Sequence, residues 1–186
     1  MAPLISEEEI KKSDEFFQQI HKIEMEYLDY WMENTLWDWE FWVSIFLSII
    51  PWLVWFIVRK RGSEARLLLA GSFGIIMACW LDFIGVISGL WHYSGRVLPT
   101  IPAFLPWDFS LIPVRIMLLL QFKPTYHPLF KAIIYSALSS FIGEPLFEWI
   151  GFYTEVNWSV FYSFPIYIII YLIAYRISIA KTFDPL

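Results

Sequence analysis

The chain lacks most of the residue patterns on which recognisable soluble enzymes depend. Its 186 residues include one cysteine, Cys79, and only 17% charged residues. A single cysteine excludes an intrachain disulfide and any metal site built on cysteine spacing. There is no phosphate-binding glycine loop, dinucleotide-binding glycine pattern, zinc motif or nucleophile elbow. The few basic residues form no pattern typical of nucleic-acid binding, so we expect no nucleic-acid partner.

Apolar residues dominate instead. Hydrophobic residues make up 58% of the chain and aromatic residues 20%, and the mean hydropathy is +0.55. Crossing about 30 Å of hydrocarbon takes about 20 helical residues. Five stretches reach or approach that length, at about 41–58, 67–90, 104–121, 129–151 and 159–176. Because backbone groups in lipid must be hydrogen-bonded internally, the sequence predicts an all-α integral membrane protein, a five-helix transmembrane bundle preceded by an amphipathic helix.

The loop charges predict the orientation of this bundle in the cell membrane. Segment 1–40 carries eleven acidic residues against three lysines. Basic residues cluster in alternate connections and after the last span: Arg59, Lys60, Arg61, Arg66, Lys123, Lys131, Arg176 and Lys181. Since basic loops stay in the cytoplasm, we expect a multi-pass protein with its amino terminus outside and its carboxyl terminus in the cytoplasm.

Residues 1–36 are predicted to form an extracytoplasmic amphipathic helix, followed by the bundle in 37–186. Ser6 and Glu9 have the spacing of a capping box at the start of a helix over about 7–34. An apolar stripe then follows at helical spacing: Phe16, Ile20, Ile23, Tyr27 and Trp31. The stripe predicts a helix that lies on the outer leaflet, caps the bundle or binds a partner helix. Its acidic polar face argues against attraction to anionic lipid.

Ionisable residues within the predicted spans are the main functional signal. Four carboxylates and one arginine lie there: Asp82, Asp108, Arg115, Glu144 and Glu148. Such groups cost roughly 2.5–3.5 kcal/mol each on insertion, so they usually face protein or water and often mark function. In the predicted topology all four carboxylates fall in the outer half of the bilayer. We take Asp82, Asp108 and Glu144 as candidate catalytic residues.

Small residues indicate where Asp82 points. Ala70, Gly74 and Ala78 recur every four residues on the second span, and Asp82 continues the row. Small residues let transmembrane helices approach closely, so this face is expected to pack against another helix and to turn Asp82 into the bundle. Gly85 with Gly89 forms a GxxxG pattern, for which packing is the favoured interpretation.

The remaining candidates are binding residues. Arg115 lies at a depth from which Asp82 and Glu144 can neutralise it, and we predict an ion pair there. Glu144 and Glu148 are four residues apart on one helix face. Their carboxylates fit acid–base chemistry, binding of a hard cation such as Mg²⁺, or hydrogen bonds to backbone. Glu148 is expected near the surface.

The outer loop after the second span is short, aromatic and stiffened by proline. It supplies the binding candidates Trp91, His92 and Tyr93, and it is placed to cover a pocket over the acidic cluster. His92 fits proton exchange in such a pocket, or a position among lipid head groups.

Three short runs resemble a known group of proteins: Leu81-Asp82, Gly89-Leu90-Trp91-His92-Tyr93 and Leu105-Pro106-Trp107-Asp108-Phe109. They are similar to a small uncharacterised family of multi-spanning membrane proteins from spore-forming Gram-positive bacteria. The resemblance covers most of residues 35–180 and implies a polytopic membrane protein, with no known activity.

A more distant resemblance is to the membrane lycopene cyclase domain of carotenoid synthesis. That family has an intramembrane Asp, a Trp with a nearby aromatic residue, and a Leu-Pro-x-Glu-Glu stretch opening the next helix. Asp82, Trp91, Tyr93 and Leu105-Pro106-Trp107-Asp108 match the order and rough spacing, but Phe109 follows Asp108 where the second glutamate belongs. The resemblance implies carboxylates that protonate a polyene.

Three functions fit these features. The first is a buried carboxylate and arginine site that binds or modifies a lipid, an isoprenoid among the candidates. The second is a structural or accessory protein that docks a membrane protein partner. The third is a subunit of a proton- or cation-coupled transporter or channel, although no inverted repeat or glycine-broken helix pair supports it. No cofactor follows from the sequence.

Overall fold

The computed structural model describes residues 4–99 and 101–180. Within these ranges the regular secondary structure is helical apart from one two-stranded antiparallel sheet. The elements in chain order are α1 (Glu7–Asn34), α2 (Trp39–Val58), α3 (Glu64–Ile87), β1 (Trp91–Tyr93), a first π-helical segment (Pro106–Leu111), α4 (Ile112–Gln121), α5 (Pro128–Leu138), a second π-helical segment (Ser139–Gly143), α6 (Glu144–Ile150), β2 (Tyr153–Glu155) and α7 (Val160–Ser178). Lys181, one of the basic residues used for orientation, lies outside the described residues.

Three of the helices have the length and composition of membrane spans, as expected of a membrane protein. Their mean hydropathies are 2.3 for α2, 2.0 for α3 and 1.7 for α7. The apolar stretches 104–121 and 129–151 are also helical over almost their whole length, but each contains a π-helical segment. That all five stretches cross the membrane stays a prediction.

Each π-helical segment ends shortly before a proline. Pro113 is the second residue of α4, and Pro145 is the second residue of α6. Proline has no N–H to donate, and its ring crowds the carbonyl four residues earlier, which strains an ordinary α-helical turn. A wider π turn relieves that crowding, and such turns often lie at functional sites. As a result, Asp108 lies within the first widened turn and Glu144 directly follows the second.

Small residues on α3 allow the close helix packing that the sequence predicts. Ala70, Gly74 and Ala78 are buried where α3 packs against α4 and α7. A Cβ added at Gly74 would lie 2.9 Å from the nearest side-chain atom of α4, so a larger residue does not fit without movement. Gly85 serves a different purpose. An added Cβ there would lie 2.1 Å from ring carbons of Trp91, so this glycine makes room for an indole ring.

The connections between helices gather at two opposite ends of the molecule. At the hairpin end, β1 pairs with β2, with Trp91 opposite Glu155. The connection after α3 and the connection after α6 therefore lie side by side. At the other end, the Lys131 ammonium donates to the carbonyl oxygens of Leu119 and Phe122 at 2.8 and 2.6 Å. The carboxyl end of α4 is thereby satisfied by a cation from α5.

The first helix is confirmed, with its predicted start. The Ser6 hydroxyl accepts from the Glu9 backbone N–H at 3.2 Å, and the Glu9 carboxylate accepts from the Ser6 backbone N–H, which completes the capping box. Only the last turns approach the bundle, where the Trp31 indole donates to the Arg96 carbonyl oxygen at 2.8 Å. Tyr27 is half-buried, and the rest of the stripe is exposed, with Ile23 66% accessible.

Candidate functional site

Two of the predicted carboxylates meet at the hairpin end of the bundle. Asp82 on α3 and Asp108 in the first π-helical segment accept hydrogen bonds from the same backbone donor, the N–H of Phe104. The nitrogen lies 3.2 Å from Asp82 Oδ2 and 2.7 Å from Asp108 Oδ2. The two carboxyl groups are also within hydrogen-bonding reach of each other. Both are buried, at 4% and 1% exposure. We call Asp82 and Asp108 the carboxyl pair.

The predicted aromatic loop supplies the other donors to Asp82. The Trp91 indole N–H donates to Asp82 Oδ1 at 3.1 Å, and the Tyr93 hydroxyl donates to the same oxygen at 2.8 Å. Because every acceptor contact of Asp82 is with a neutral donor, the cost of burying this carboxylate is met by hydrogen bonds rather than by a cation. Two of the candidate binding residues, Trp91 and Tyr93, thus contact a candidate catalytic residue.

Strand pairing holds these two side chains in place. Tyr93 is paired with Tyr153 in the sheet, and its ring stacks on Phe104 with centroids 4.9 Å apart. Burial, together with the nearby negative charge of Asp82, raises the pKa of Tyr93 well above its usual value. The Tyr93 hydroxyl therefore keeps its proton and remains a donor. Since the same loop supplies the Phe104 N–H, the loop and the carboxyl pair hold each other in position.

Glu144 occupies a different environment, at the start of α6. It is buried at 7% exposure and lies beside the hydroxyl groups of Ser163 and Tyr167 on α7. Its Oε2 atom is buried without a hydrogen-bond partner. Buried polar atoms are nearly always paired, so an unpaired carboxylate oxygen indicates a partner such as water or a ligand.

The other two candidates lie apart from this cluster. Glu148 is exposed, one turn beyond Glu144, in agreement with its expected position near the surface. The charge of Glu148 acts on the hairpin. Burial and, as the second cause, this charge raise the pKa of Glu155 above its usual value. His92 is also exposed, because strand alternation turns it away from the side on which Trp91 and Tyr93 lie.

The predicted ion pair of Arg115 is wrong. No carboxylate oxygen among the described residues lies within 4.0 Å of its guanidinium, and the hydrogen bonds of Asp82 come from the loop. Glu144 is near but not in contact. Matching depth along two helices was the basis of the prediction, and depth alone does not determine on which side of a helix a long side chain lies.

The guanidinium group of Arg115 instead packs on aromatic rings. Its Cζ atom lies 4.6 Å from the centre of the Trp107 ring and 5.7 Å from that of Tyr135. Its Nε atom donates to the Leu111 carbonyl oxygen at 2.9 Å, while Nη2 is buried without a partner. Cation–π attraction and a backbone carbonyl therefore replace the expected carboxylate as the stabilising contacts of this charge.

Trp107 separates Arg115 from the cleft. Its ring fits over Gly143, where an added Cβ would lie 2.5 Å from the nearest ring carbon, and its indole N–H donates to the Tyr167 hydroxyl at 2.9 Å. The residue stands beside Asp108 on the π-helical segment, so the widened turn presents the indole and the carboxylate together. Arg115 does not line the cleft.

A cleft connects the carboxyl pair with Glu144. It encloses about 60 Å³, and about 640 Å³ when the open space at its mouth is counted. α3 contributes Ala78 and Leu81, and α7 contributes Ile166 and Ile170. Aromatic rings form much of the remaining wall: Trp91, Tyr93, Trp107, Phe147, Trp158 and Tyr167. A mostly apolar cavity with a few convergent polar groups is typical of a binding site for a small or lipid-like molecule.

Several contributors to this site were not predicted as site residues. The Phe104 backbone N–H is the common donor of the carboxyl pair, Gly85 and Gly143 seat the two indole rings, and Ser163 and Tyr167 flank Glu144. Tyr167 is one of three tyrosines spaced four residues apart on α7, a pattern that is typical of helix packing. A backbone donor carries no sequence signal at all, whereas Gly143, two residues before Pro145, was an available clue.

The chain matches no family model, no curated protein and no solved structure in the comparisons made.

Proposed function

We propose that this chain is a multi-pass membrane protein that binds a lipid in the cleft between α3 and α7. The cleft itself carries this proposal: an apolar, aromatic wall encloses three carboxyl groups on a chain with membrane-spanning helices. An enclosed volume of about 60 Å³ has room for a head group or a short chain segment rather than a whole lipid. The rest of such a ligand lies in the open part of the cleft and in the bilayer.

The carboxyl pair supports a role in modifying that lipid. Carboxyl groups within reach of each other can share one proton, and pairs in unequal environments are suited to acid–base chemistry. Asp82 has three donors and Asp108 has one, so their environments differ. Protonation of a double bond in an isoprenoid chain is the reaction that this arrangement and the resemblance to the lycopene cyclase domain favour.

Blocking the cleft tests the binding proposal. Ile166 lines the cleft on α7, and Ile169 on the same helix is 56% exposed and does not line it. Ile166→Trp should fill the cavity, whereas Ile169→Trp places the same bulk on the outer surface. Lipids retained through gentle purification, measured by mass spectrometry, should be lost from Ile166→Trp and kept in Ile169→Trp. Equal retention in the two variants would contradict binding in the cleft.

The topology is part of the proposal. We propose five spans in the cell membrane, with the hairpin end and α1 outside and the basic end in the cytoplasm. In a Cys79→Ala background, a membrane-impermeant maleimide added to intact cells should label Ser13→Cys and leave Arg61→Cys unlabelled until the cells are opened. The reverse pattern would overturn this orientation.

A second function, docking of a membrane protein partner, is favoured by α1. Its apolar residues Phe16, Phe17 and Ile20 are 58%, 68% and 50% exposed, so the bundle does not bury them. Replacing all three with serine should abolish co-purification of a specific partner while lipid retention in the cleft stays unchanged. Unchanged co-purification would remove the support for this function.

A further inference from the structure

In the part of the chain that the structure describes, the acidic residues on the wall of the cleft are not balanced by basic ones there. Asp82, Asp108 and Glu144 line it, and no lysine, arginine or histidine is among the described residues on its wall. Arg115 is separated from it by the Trp107 ring, and Arg96 donates to the carbonyl oxygen of Ile101 at 3.0 Å. A phosphate or carboxylate head group would therefore enter a low-dielectric site that holds only like charges, which is strongly unfavourable.

One oxygen of the Glu144 carboxylate, Oε2, is an acceptor that the fold leaves without a donor. The carboxyl pair receives hydrogen bonds from loop groups, but Glu144 Oε2 has none although the residue is 93% buried. The neighbouring hydroxyls of Ser163 and Tyr167 accept from the Trp158 and Trp107 indoles at 2.9 Å and turn their own O–H groups toward the carboxylate, but neither satisfies Oε2. A donor that approaches from the cleft would complete the coordination of this oxygen.

Aromatic side chains line the same part of the cleft. Trp158, Tyr153 and Tyr167 line the cleft together with Glu144. The faces of such rings attract cations, by about 0.5–1 kcal/mol when exposed and about 2 kcal/mol or more when desolvated. A carboxylate with aromatic neighbours, in a space too small for a bulky group, fits an ammonium group on an alkyl chain.

We infer that the lipid bound in the cleft is a lipophilic primary amine whose ammonium group donates to Glu144 and lies against the aromatic wall. The inference rests on the proposed function, since it names the class of ligand for the same cleft. The apolar chain extends past Ile166 and Ile170 toward the bilayer. A neutral lipid leaves the Glu144 oxygen unpaired, and an anionic lipid adds a repelling charge.

Three amphiphiles with one chain length separate these cases. Dodecylammonium, dodecanol and dodecanoate are titrated into the purified protein in a non-ionic maltoside detergent, by calorimetry at pH 7. The Ile166→Trp variant serves as the blank for partition into micelles. Dodecylammonium should bind about tenfold or more tightly than dodecanol, which corresponds to about 1.4 kcal/mol. Dodecanoate should bind most weakly.

Two matched variants assign the preference to one carboxylate. Glu144→Gln should lower the affinity for dodecylammonium about tenfold and leave that for dodecanol unchanged. Glu148→Gln, four residues away on the same helix and exposed, should change neither.

Equal affinity for the ammonium and the alcohol, or preference for dodecanoate, would overturn the inference and leave lipid binding in place. An unchanged ammonium affinity in Glu144→Gln would overturn it as well. If none of the three amphiphiles binds better to wild type than to Ile166→Trp, the proposed function itself fails, and the inference with it.

Discussion

The carboxyl pair and Glu144 lie along one cleft, but their hydrogen bonds differ. Asp82 accepts from Trp91, Tyr93 and Phe104, and each donor belongs to the hairpin-end loop. Around Glu144 and Arg115 the helices leave a group of buried polar atoms without partners, on Ser110, Arg115, Tyr135, Ser136, Ser140, Glu144 and Tyr171. In the first region the fold itself supplies the donors. In the second region the fold leaves buried polar atoms unpaired.

The largest effect is expected at the glycine beneath Trp91. Gly85→Ala forces a methyl group into the indole ring and breaks the Trp91–Asp82 hydrogen bond. Overpacking and one lost hydrogen bond together should cost about 3 kcal/mol of unfolding free energy. Gly143→Ala meets the Trp107 ring at 2.5 Å and should cost less. Urea unfolding in detergent micelles measures the unfolding free energy of both variants. Equal losses in the two variants would contradict the expected difference between the Trp91 and Trp107 sites.

Neutral replacement of the carboxylates compares the regions directly. Asp82→Asn keeps one carbonyl oxygen for Trp91 and Tyr93 but turns an amide donor toward the Phe104 N–H, so we expect a loss of about 2 kcal/mol. Glu144→Gln replaces an oxygen that has no donor, so that no hydrogen bond to Oε2 is lost, and it should cost less than about 1 kcal/mol.

The same unfolding measurement applies to this pair, with the exposed Glu148→Gln as control. If Glu144→Gln proved as destabilising as Asp82→Asn, Glu144 would have a structural partner, and the contrast between the two carboxylates would be lost.

A double-mutant cycle tests the correction at Arg115. Because no ion pair joins Arg115 to Asp82, the stability costs of Arg115→Met and Asp82→Asn should add within about 0.5 kcal/mol. Arg115→Met combined with Trp107→Leu should instead show a coupling of about 1 kcal/mol, since the guanidinium packs on that ring. Coupling with Asp82 and none with Trp107 would restore the ion pair and overturn the geometry described above.

The smallest effect concerns a carboxylate outside the helices. Burial and the charge of Glu148 raise the pKa of Glu155 above its usual 4.5. The folded state therefore binds this proton more tightly than the unfolded state, and stability falls as pH rises from 4.5 through the higher folded-state pKa. Glu155→Gln should match wild type below pH 4.5 and be slightly more stable at neutral pH. Thermal unfolding at pH 4 and pH 7 measures this, and a variant less stable at neutral pH would contradict it.

Local features of the chain were predictable. The capping box at Ser6 and Glu9, the small-residue face of α3 and the extent of the apolar helices depend on neighbours in sequence or on composition. Each involves contacts within one helix or a periodicity that any packing partner satisfies. The same reasoning identified Asp82, Asp108 and Glu144 as buried carboxylates. An ionisable group within an apolar helix is costly in lipid and therefore faces the protein interior or water.

Contacts between distant segments were not predictable. Asp82 and Phe104 are 22 positions apart, and Trp107 reaches Tyr167 across 60. The sequence alone determined that this protein has membrane-spanning helices with carboxylates inside them. Only the tertiary structure decided that the loop satisfies the carboxyl pair, that Arg115 lies on aromatic rings and that Glu144 has an unpaired oxygen. The reason is physical: helix formation is determined by local hydrogen bonds and apolar length, whereas hydrogen-bond partners depend on which backbone and ring groups the packed helices bring within about 3 Å.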